Sequence, residues 1–321
     1  GEVCIMSNIK IKLIRSNEKN TYYDISNLVQ KVTWGGDNSS APRNVTVTLI
    51  DNDYIDVLRG EKIVFYEDKK ELFRGLIQKE THKTDDQLSI KAYDNGFFLA
   101  KNKDNYSYKN KTCTDVFKSL CKKCGVPVGK CANTKVKLDK VSKKSTTAYD
   151  TLATAISKTR SKTKKKYYPL DVKGKMCLIE RKKHTVQWVL ETGVNITDYS
   201  YDVSIEDLIT RAIVYSSKDK VLAKKTNTAL EKKYGRRQET ASVSDDKKAE
   251  IKKTLNNIFN SNGKPKKEIE ITCIGNSEII TGKTAYIIIK PIGIVGTYYI
   301  NSDSHTFENG SHTMSLKLSK T

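Results

Sequence analysis

The residues best equipped for chemistry are four cysteines gathered near the middle of the chain, Cys113, Cys121, Cys124 and Cys131. Two thiolates three positions apart and followed by glycine, as in Cys121-Lys-Lys-Cys124-Gly125, form half of a tetrahedral zinc site. The other half would have to be Cys113 and Cys131, whose spacing is irregular. Cys113, Cys121 and Cys124 also fall on or beside the apolar face of a helical pattern. Buried, unligated thiols are therefore the expectation, with metal binding the alternative, because free cysteine is among the most buried residue types. Seven cysteines, most of them widely scattered, make no disulfide framework, so reduced thiols are expected.

Other chemistry-bearing patterns are weaker. Gly282-Lys283-Thr284 resembles the end of a phosphate-binding loop, but the glycine required five residues earlier is Ser277, and a strand-like AYIIIK follows where a helix N-terminus is needed. A tight β-turn is the expectation. The four histidines, His82, His184, His305 and His312, form no H-E-x-x-H pair and flank no G-x-S-x-G elbow. His305, in the strand-like SDSHTFENG, reads as a packed or hydrogen-bonded structural side chain. Asp51, Asp53 and Asp56, and Glu206 with Asp207, sit in polar turns and read as caps and solvent contacts. No residue is assigned a catalytic, cofactor-binding or metal-binding role, and an enzyme is not expected.

Charge is the strongest compositional signal. Lys and Arg number 58 against 37 Asp and Glu, a formal net charge of +21. Such a surface concentrates anions, so nucleic acid, an acidic membrane face and an acidic protein surface are all candidates. The runs Lys162 to Lys166, with Tyr167 and Tyr168 beside them, and Lys224-Lys225 suit phosphates and stacking. A solvated helix end followed by a hairpin explains the first run, and biased codon use explains a Lys-rich chain.

The elements that must position these residues fall into three stretches. In the first, apolar residues alternate at Ile9, Ile11 and Leu13, at Val45, Val47 and Leu49, and at Leu88, Ile90 and Ala92, the two-residue period of half-buried strands. Three antiparallel strands joined by the charged tips Glu67 to Lys70 and Lys83 to Asp86 suggest a small barrel or sandwich. In the second stretch, Val116, Phe117, Leu120, Cys121 and Cys124 have helical spacing between the caps Thr112 and Asp115 and Gly125. Tyr149, Leu152, Ala153 and Ile156 suggest another helix, and YYPLDVKGKMCLIERKK a hairpin turning near Gly174. In the third, strands return from about Val186, interrupted by one helix with Ser244 as its cap, Ile251, Leu255, Ile258 and Phe259 on one face, and Gly263 and Pro265 at its end. The expected boundaries are 1–105 (β), 106–184 (small α/β) and 185–321 (β, with a helix near 244–261). GEVCIMSNIKIKLIR lacks the apolar core of an export signal. The apolar stretch Ala285 to Val295 is broken by Lys290 and Pro291, so a soluble, cytoplasmically made protein is expected.

Segment order carries a resemblance that no single motif does. The run FRGLIQKETHKTDDQLSIKAYDNGFFLAKNKDNYSYKNKTCTDVFKSLCKKCGVPVG resembles the XkdQ/YqbQ family of prophage proteins, related to late control protein D and to the baseplate hubs of contractile phage tails. NITDYSYDVSIEDLITRAIVY, KYGRRQE, NSNGKPKKEIEITCIGN and GTYYINSDSHTFENGSHTMSLKLS resemble its late segments, with landmarks at Tyr93-Asp94, Gly125, Gly263, Gly275, Gly282, Gly296 and His305. The resemblance implies a mainly β fold with an α+β insertion: two tube-like β-barrel domains, 1–105 and 185–321, flanking the small α/β domain. It implies a structural, non-enzymatic hub without cofactors, whose homotrimer adapts a six-fold tail tube to a three-fold spike. Its partners would be tail tube, spike, other baseplate and tape-measure proteins, with no membrane and DNA only in transit through the channel. The chain would assemble in the bacterial cytoplasm into a virion or a headless phage-tail-like bacteriocin. The cysteine cluster and the charge of +21 depart from the family pattern. A basic nucleic-acid-binding module is the alternative from another class. A peptidoglycan-cleaving baseplate component would need a Glu/Asp or Cys/His constellation that the sequence does not display.

Overall fold

Val45, Val47 and Leu49 are buried on one face of the strand Asn44–Ile50, while Thr46 and Thr48 between them stay half-exposed. The same period builds the strands around it, because each must bury one face and leave the other in water. The computed structural model describes residues 8–15, 21–40, 42–51, 57–181, 188–243 and 248–321. Asn44–Ile50 lies between Val29–Asp37 and Gln87–Tyr93, and the sheet continues through Lys70–His82, Lys62–Glu67 and Ile9–Ile14 to Tyr22–Asp24. Every pairing in this series is antiparallel. Its inward face is a cluster that includes Ile11, Val32, Trp34, Val47, Phe65 and Ile90.

One member of that cluster, Phe307, arrives from the far end of the sequence. The fifteen-residue strand Ile294–Glu308 pairs with Thr284–Ile289 through its first half and with Val29–Asp37 through its second. It also pairs along its length with Ser311–Lys320. Gly35 permits the junction: a Cβ there would lie 2.4 Å from the Asp303 carbonyl oxygen, so a side chain would push the two strands apart.

The middle of the chain has its own apolar cluster, including Leu99, Phe117, Leu120, Val141, Leu152 and Met176. Helices Gly96–Lys101, Cys113–Lys123 and Ala148–Thr163 pack with a two-stranded ribbon, Lys103–Thr112 against Lys137–Thr147. They also pack with a three-stranded sheet in which Lys175–Arg181 pairs antiparallel with Lys166–Val172 and parallel with Val128–Cys131. The helix starts are those the capping residues specify. The Thr112 hydroxyl accepts from Asp115 N while the Asp115 carboxylate accepts from Thr112 N, and Thr147 accepts from Asp150 N.

The chain divides into two compact units, Gly1–Tyr199 with Glu270–Thr321, and Ser200–Ile269. In the second, the strand Arg211–Ser216 pairs antiparallel with Val221–Thr226 and parallel with Gln238–Val243, and the unit carries helices Thr228–Tyr234 and Lys248–Asn262. Neither 105 nor 184 separates these units, and the stretch 185–321 is shared between them. The physical reason is the pairing of Ile294–Glu308 with Val29–Asp37, which joins late residues to the first sheet. The long helix expected near 244–261 is present as Lys248–Asn262, and the Ser244 cap lies outside the described residues. No helix among the described residues is long and apolar enough to cross a membrane.

Gly282 tests how tightly the larger unit is packed. It has φ +92, and a Cβ there would fall 2.0 Å from the buried Tyr168 ring. Gly282→Ala is expected to cost about 1–3 kcal/mol and lower the thermal midpoint. Gly60→Ala, at φ +89 with open space around it, is expected to cost less, since only backbone strain acts there. Differential scanning calorimetry of the two variants checks the order.

Candidate functional site

The densest polar chemistry in the larger unit is a buried chain running between the early strands and the late ones. Arg43, 7% exposed at the entry to Asn44–Ile50, meets Asp303, 3% exposed on Ile294–Glu308. Their pairing is bidentate, Nη1 to Oδ1 at 2.8 Å and Nη2 to Oδ2 at 2.6 Å. The guanidinium also lies over the Trp34 ring, 4.4 Å from its centroid. Asp303 Oδ1 accepts from Thr281 N at 2.7 Å and from the Thr281 hydroxyl at 2.6 Å. Burial opposes the Asp303 charge, yet Arg43 beside it, with His305, holds the carboxyl well below the usual carboxylate range.

His305 is fully buried next along the strand. Its Nε2 lies 3.1 Å from the Ile279 carbonyl, which can only accept, so that nitrogen carries the proton. Its Nδ1, 3.0 Å from His312 Nε2, then accepts from His312. The far nitrogen of His312 lies 3.3 Å from Glu67 Oε1, and its ring stacks on Phe307 with centroids 3.9 Å apart. Burial drives the His305 pKa down, with Asp303 opposing. At the other end, Arg43 N and Gly96 N donate to the Asp94 carboxylate at 3.1 and 2.9 Å. Burial, with Asp171 nearby, pushes the Asp94 pKa up to about 8.

The chain leaves no room for a substrate. The cavity beside it, lined by Gly36, Asp37, Arg43, Tyr168 and Thr281 among others, has a volume of ≈ 20 Å³, space for about one water. These groups hold strands together. Among the described residues at this cluster, no nucleophile stands beside a base with space for a reacting molecule, which is what catalysis there would need.

The residues singled out in the sequence lie elsewhere or serve locally. Cys113 and Cys121 are buried in the middle cluster, with Cys124 and Cys131 packed against it. Burial pushes the Cys113 and Cys121 thiols up to about 12. Among the described residues no group of three or more His, Cys, Asp or Glu side chains is arranged to hold a metal ion. Gly282-Lys283-Thr284 is a turn leading into Thr284–Ile289, and the Lys283 ammonium donates to the Glu278 carbonyl at 2.6 Å. His82 pairs with Asp51 at the surface. Glu206 and Asp207 lie in a turn, where the Glu206 carbonyl accepts from Arg237. Asp53, Asp56 and His184 lie outside the described residues.

In the basic run, Lys162 reaches Asp139 and Lys165 pairs with Glu180, while Tyr167 and Tyr168 are 5% and 7% exposed and present no ring to a base. Lys225 lies over the Phe259 ring. The Arg43–Asp303 pair was missed in the sequence because its partners stand 260 positions apart with no local pattern announcing either.

Removing one member of a buried pair strands the other charge. Asp303→Asn is expected to destabilise the chain by about 3–5 kcal/mol, measured by denaturant unfolding at neutral pH. His305 has a distinct pH signature. Its folded pKa is depressed, so the stability it contributes is present above the ordinary 6.5 and is lost as pH falls through the folded value. The stability difference between the parent protein and His305→Gln is therefore expected to shrink progressively below about pH 6.5, read from unfolding curves across pH.

Comparison with known proteins places this geometry in a family. The YqbQ-like family model matches residues 32–319. The protein XkdQ of the phage-like element PBSX of Bacillus subtilis (strain 168) is 33% identical over 301 residues, covering 91% of this chain and 92% of that protein. Among solved structures, the 43 kDa tail protein of prophage MuSo2 from Shewanella oneidensis superposes with a TM-score of 0.72 at 12% identity, covering 97% of this chain and 98% of that one. The E. coli c3393 protein superposes with a TM-score of 0.56 at 11% identity, covering 96% of this chain and 76% of that one. That protein is a component of the type VI secretion system with structural similarity to the T4 bacteriophage tail proteins gp27 and gp5.

Proposed function

Because the chain belongs to the YqbQ-like family, we propose that it is a structural hub of the baseplate in a contractile phage tail or a phage-tail-like bacteriocin. The observation that carries this reading is the fold: mainly β with an α+β insertion, shared along 97% of the chain with a prophage tail protein. In this role three copies form a ring that meets a six-fold tail tube on one side and a three-fold spike on the other. Two tube-like β modules per chain are what the symmetry requires, since three chains then offer six similar surfaces. Tail tube, spike and tape-measure proteins are the partners of such a ring, which is built in the bacterial cytoplasm and ends as part of the particle.

A structural role also agrees with the way polar groups are used. The Arg43–Asp303–His305–His312 chain is spent on joining strands, and its neighbouring cavity of ≈ 20 Å³ admits no substrate. A ring built from three chains of +21 each repels itself unless salt or acidic surfaces screen it.

Mass photometry across a salt series tests the assembly. A species of three times 36.3 kDa is expected to grow as ionic strength rises, or on addition of the tail tube protein at low salt. A chain that stays monomeric at every salt concentration and with the tube protein present overturns the hub reading.

A further inference from the structure

The positive charge is concentrated in one place. Residues 96–181 carry 22 lysines and arginines against six acids, a net +16 of the whole chain's +21. All the remaining residues together contribute only +5. Part of the excess lies on the two-stranded ribbon Lys103–Thr112 and Lys137–Thr147, seven lysines against two acids, which buries Tyr106 and Val141 on its inner face.

The outer face is built from lysines and small polar groups. Lys109 lies directly opposite Lys140 and Ser107 opposite Ser142, all four exposed, with Lys144 next on the same side, whereas Lys143 lies opposite Tyr106 on the other side. Like charges directly across a strand pair repel, so this arrangement lowers the stability of the isolated ribbon. No acidic side chain among the described residues relieves the repulsion. The two acids on these strands are already engaged, Asp104 with Lys123 and Asp139 with Lys162, and Lys109, Lys140, Lys143 and Lys144 make no side-chain ion pair among the described residues. Same-face residues along a strand recur about every 6.7 Å, which sets the charges in a row instead of a cluster.

The chemistry of the row identifies its partner. Protein interfaces are depleted in lysine and enriched in aromatics, methionine and arginine. Here the only large apolar side chain exposed between residues 96 and 181 is Val172, and of the two arginines Arg181 is engaged with the Ile300 carbonyl and the Tyr299 ring. Single-stranded nucleic acid asks for exposed rings on which bases stack, and Tyr106, Tyr167 and Tyr168 are buried. Lysines in a row, without arginine forks or base-reading amides, suit the phosphate backbone of a duplex, contacted without regard to sequence. A two-stranded ribbon is also of a width that the major groove admits.

The geometry points to the outer face of the ribbon 103–112/137–147 as a sequence-independent binding surface for duplex DNA, with Lys109, Lys140 and Lys144 as the phosphate contacts. This surface stands apart from the hub reading and requires neither trimer nor spike.

Fluorescence anisotropy of the full chain with two unrelated duplexes of about 20 base pairs, from about 50 to about 200 mM salt, tests it. Both duplexes are expected to bind with equal affinity. Replacing the three lysines together (Lys109→Gln, Lys140→Gln, Lys144→Gln) is expected to weaken binding at least about tenfold and to flatten the log–log salt slope by about 2 to 3. Removing the same charge elsewhere (Lys218→Gln, Lys220→Gln, Lys252→Gln) should leave that slope within about 1 of the parent. Should the ribbon variant fail to fold, acetylation footprinting of the parent protein gives the same answer, with duplex expected to protect those three lysines. The proposal is overturned by absence of saturable binding at low salt, by equal weakening in both variants, or by lysines equally acetylated with and without duplex. Competition by a polyglutamate chain as effective as unlabelled duplex also overturns it, and would assign the surface to an acidic protein.

Discussion

The larger unit depends on one buried ion pair. Arg43 and Asp303 are both shielded from water, and each is tolerable there only because the other is present with matching geometry. The pair fixes the register at which the strand Ile294–Glu308 lies against Val29–Asp37, since a slip of one residue would turn Asp303 to the opposite face and strand both charges. The rest of the polar chain follows from that register. Thr281 reaches the same carboxylate, His305 is brought against the Ile279 carbonyl, and His312 is brought onto Phe307.

Polar groups in this cluster are used to join strands. A histidine, two aspartates and an arginine within hydrogen-bonding reach of one another would draw attention in any list of candidate sites. Here the donors and acceptors, Arg43 Nε excepted, are taken up by one another and the cavity beside them holds about one water, so perturbed ionisation reports strand joining. Late residues completing a sheet begun by early ones also give the larger unit mechanical continuity.

Charge is handled in the opposite way on the middle ribbon. There the lysines are exposed, adjacent and unpaired among the described residues, at a cost to local stability that water and salt reduce but do not remove. Folding energetics alone does not account for such a surface, whereas an external polyanion does. The two regions show how one chain places opposite demands on its cations: a single buried guanidinium holds the fold together, and a row of solvated ammonium groups faces outward.

Much of the local architecture was legible in the residues themselves. Alternation marked Asn44–Ile50 and Gln87–Tyr93, the Thr112 and Asp115 pair marked the start of the helix Cys113–Lys123, and the late strands from Thr284 to Lys320 followed their apolar period. Period and capping are short-range properties, set by backbone geometry within a few residues, so they can be read without knowing what lies across the sheet. The helix Thr228–Tyr234 and the strand Gln238–Val243 escaped, because both are mostly polar and exposed and carry no apolar period. Segment order identified the family, but neither the division into Gly1–Tyr199 with Glu270–Thr321 and Ser200–Ile269 nor the meeting of Arg43 with Asp303 had any local mark. Those were decided by tertiary structure, because pairing between strands hundreds of residues apart depends on which buried faces and charges fit together in space, and no periodicity along the chain encodes that fit.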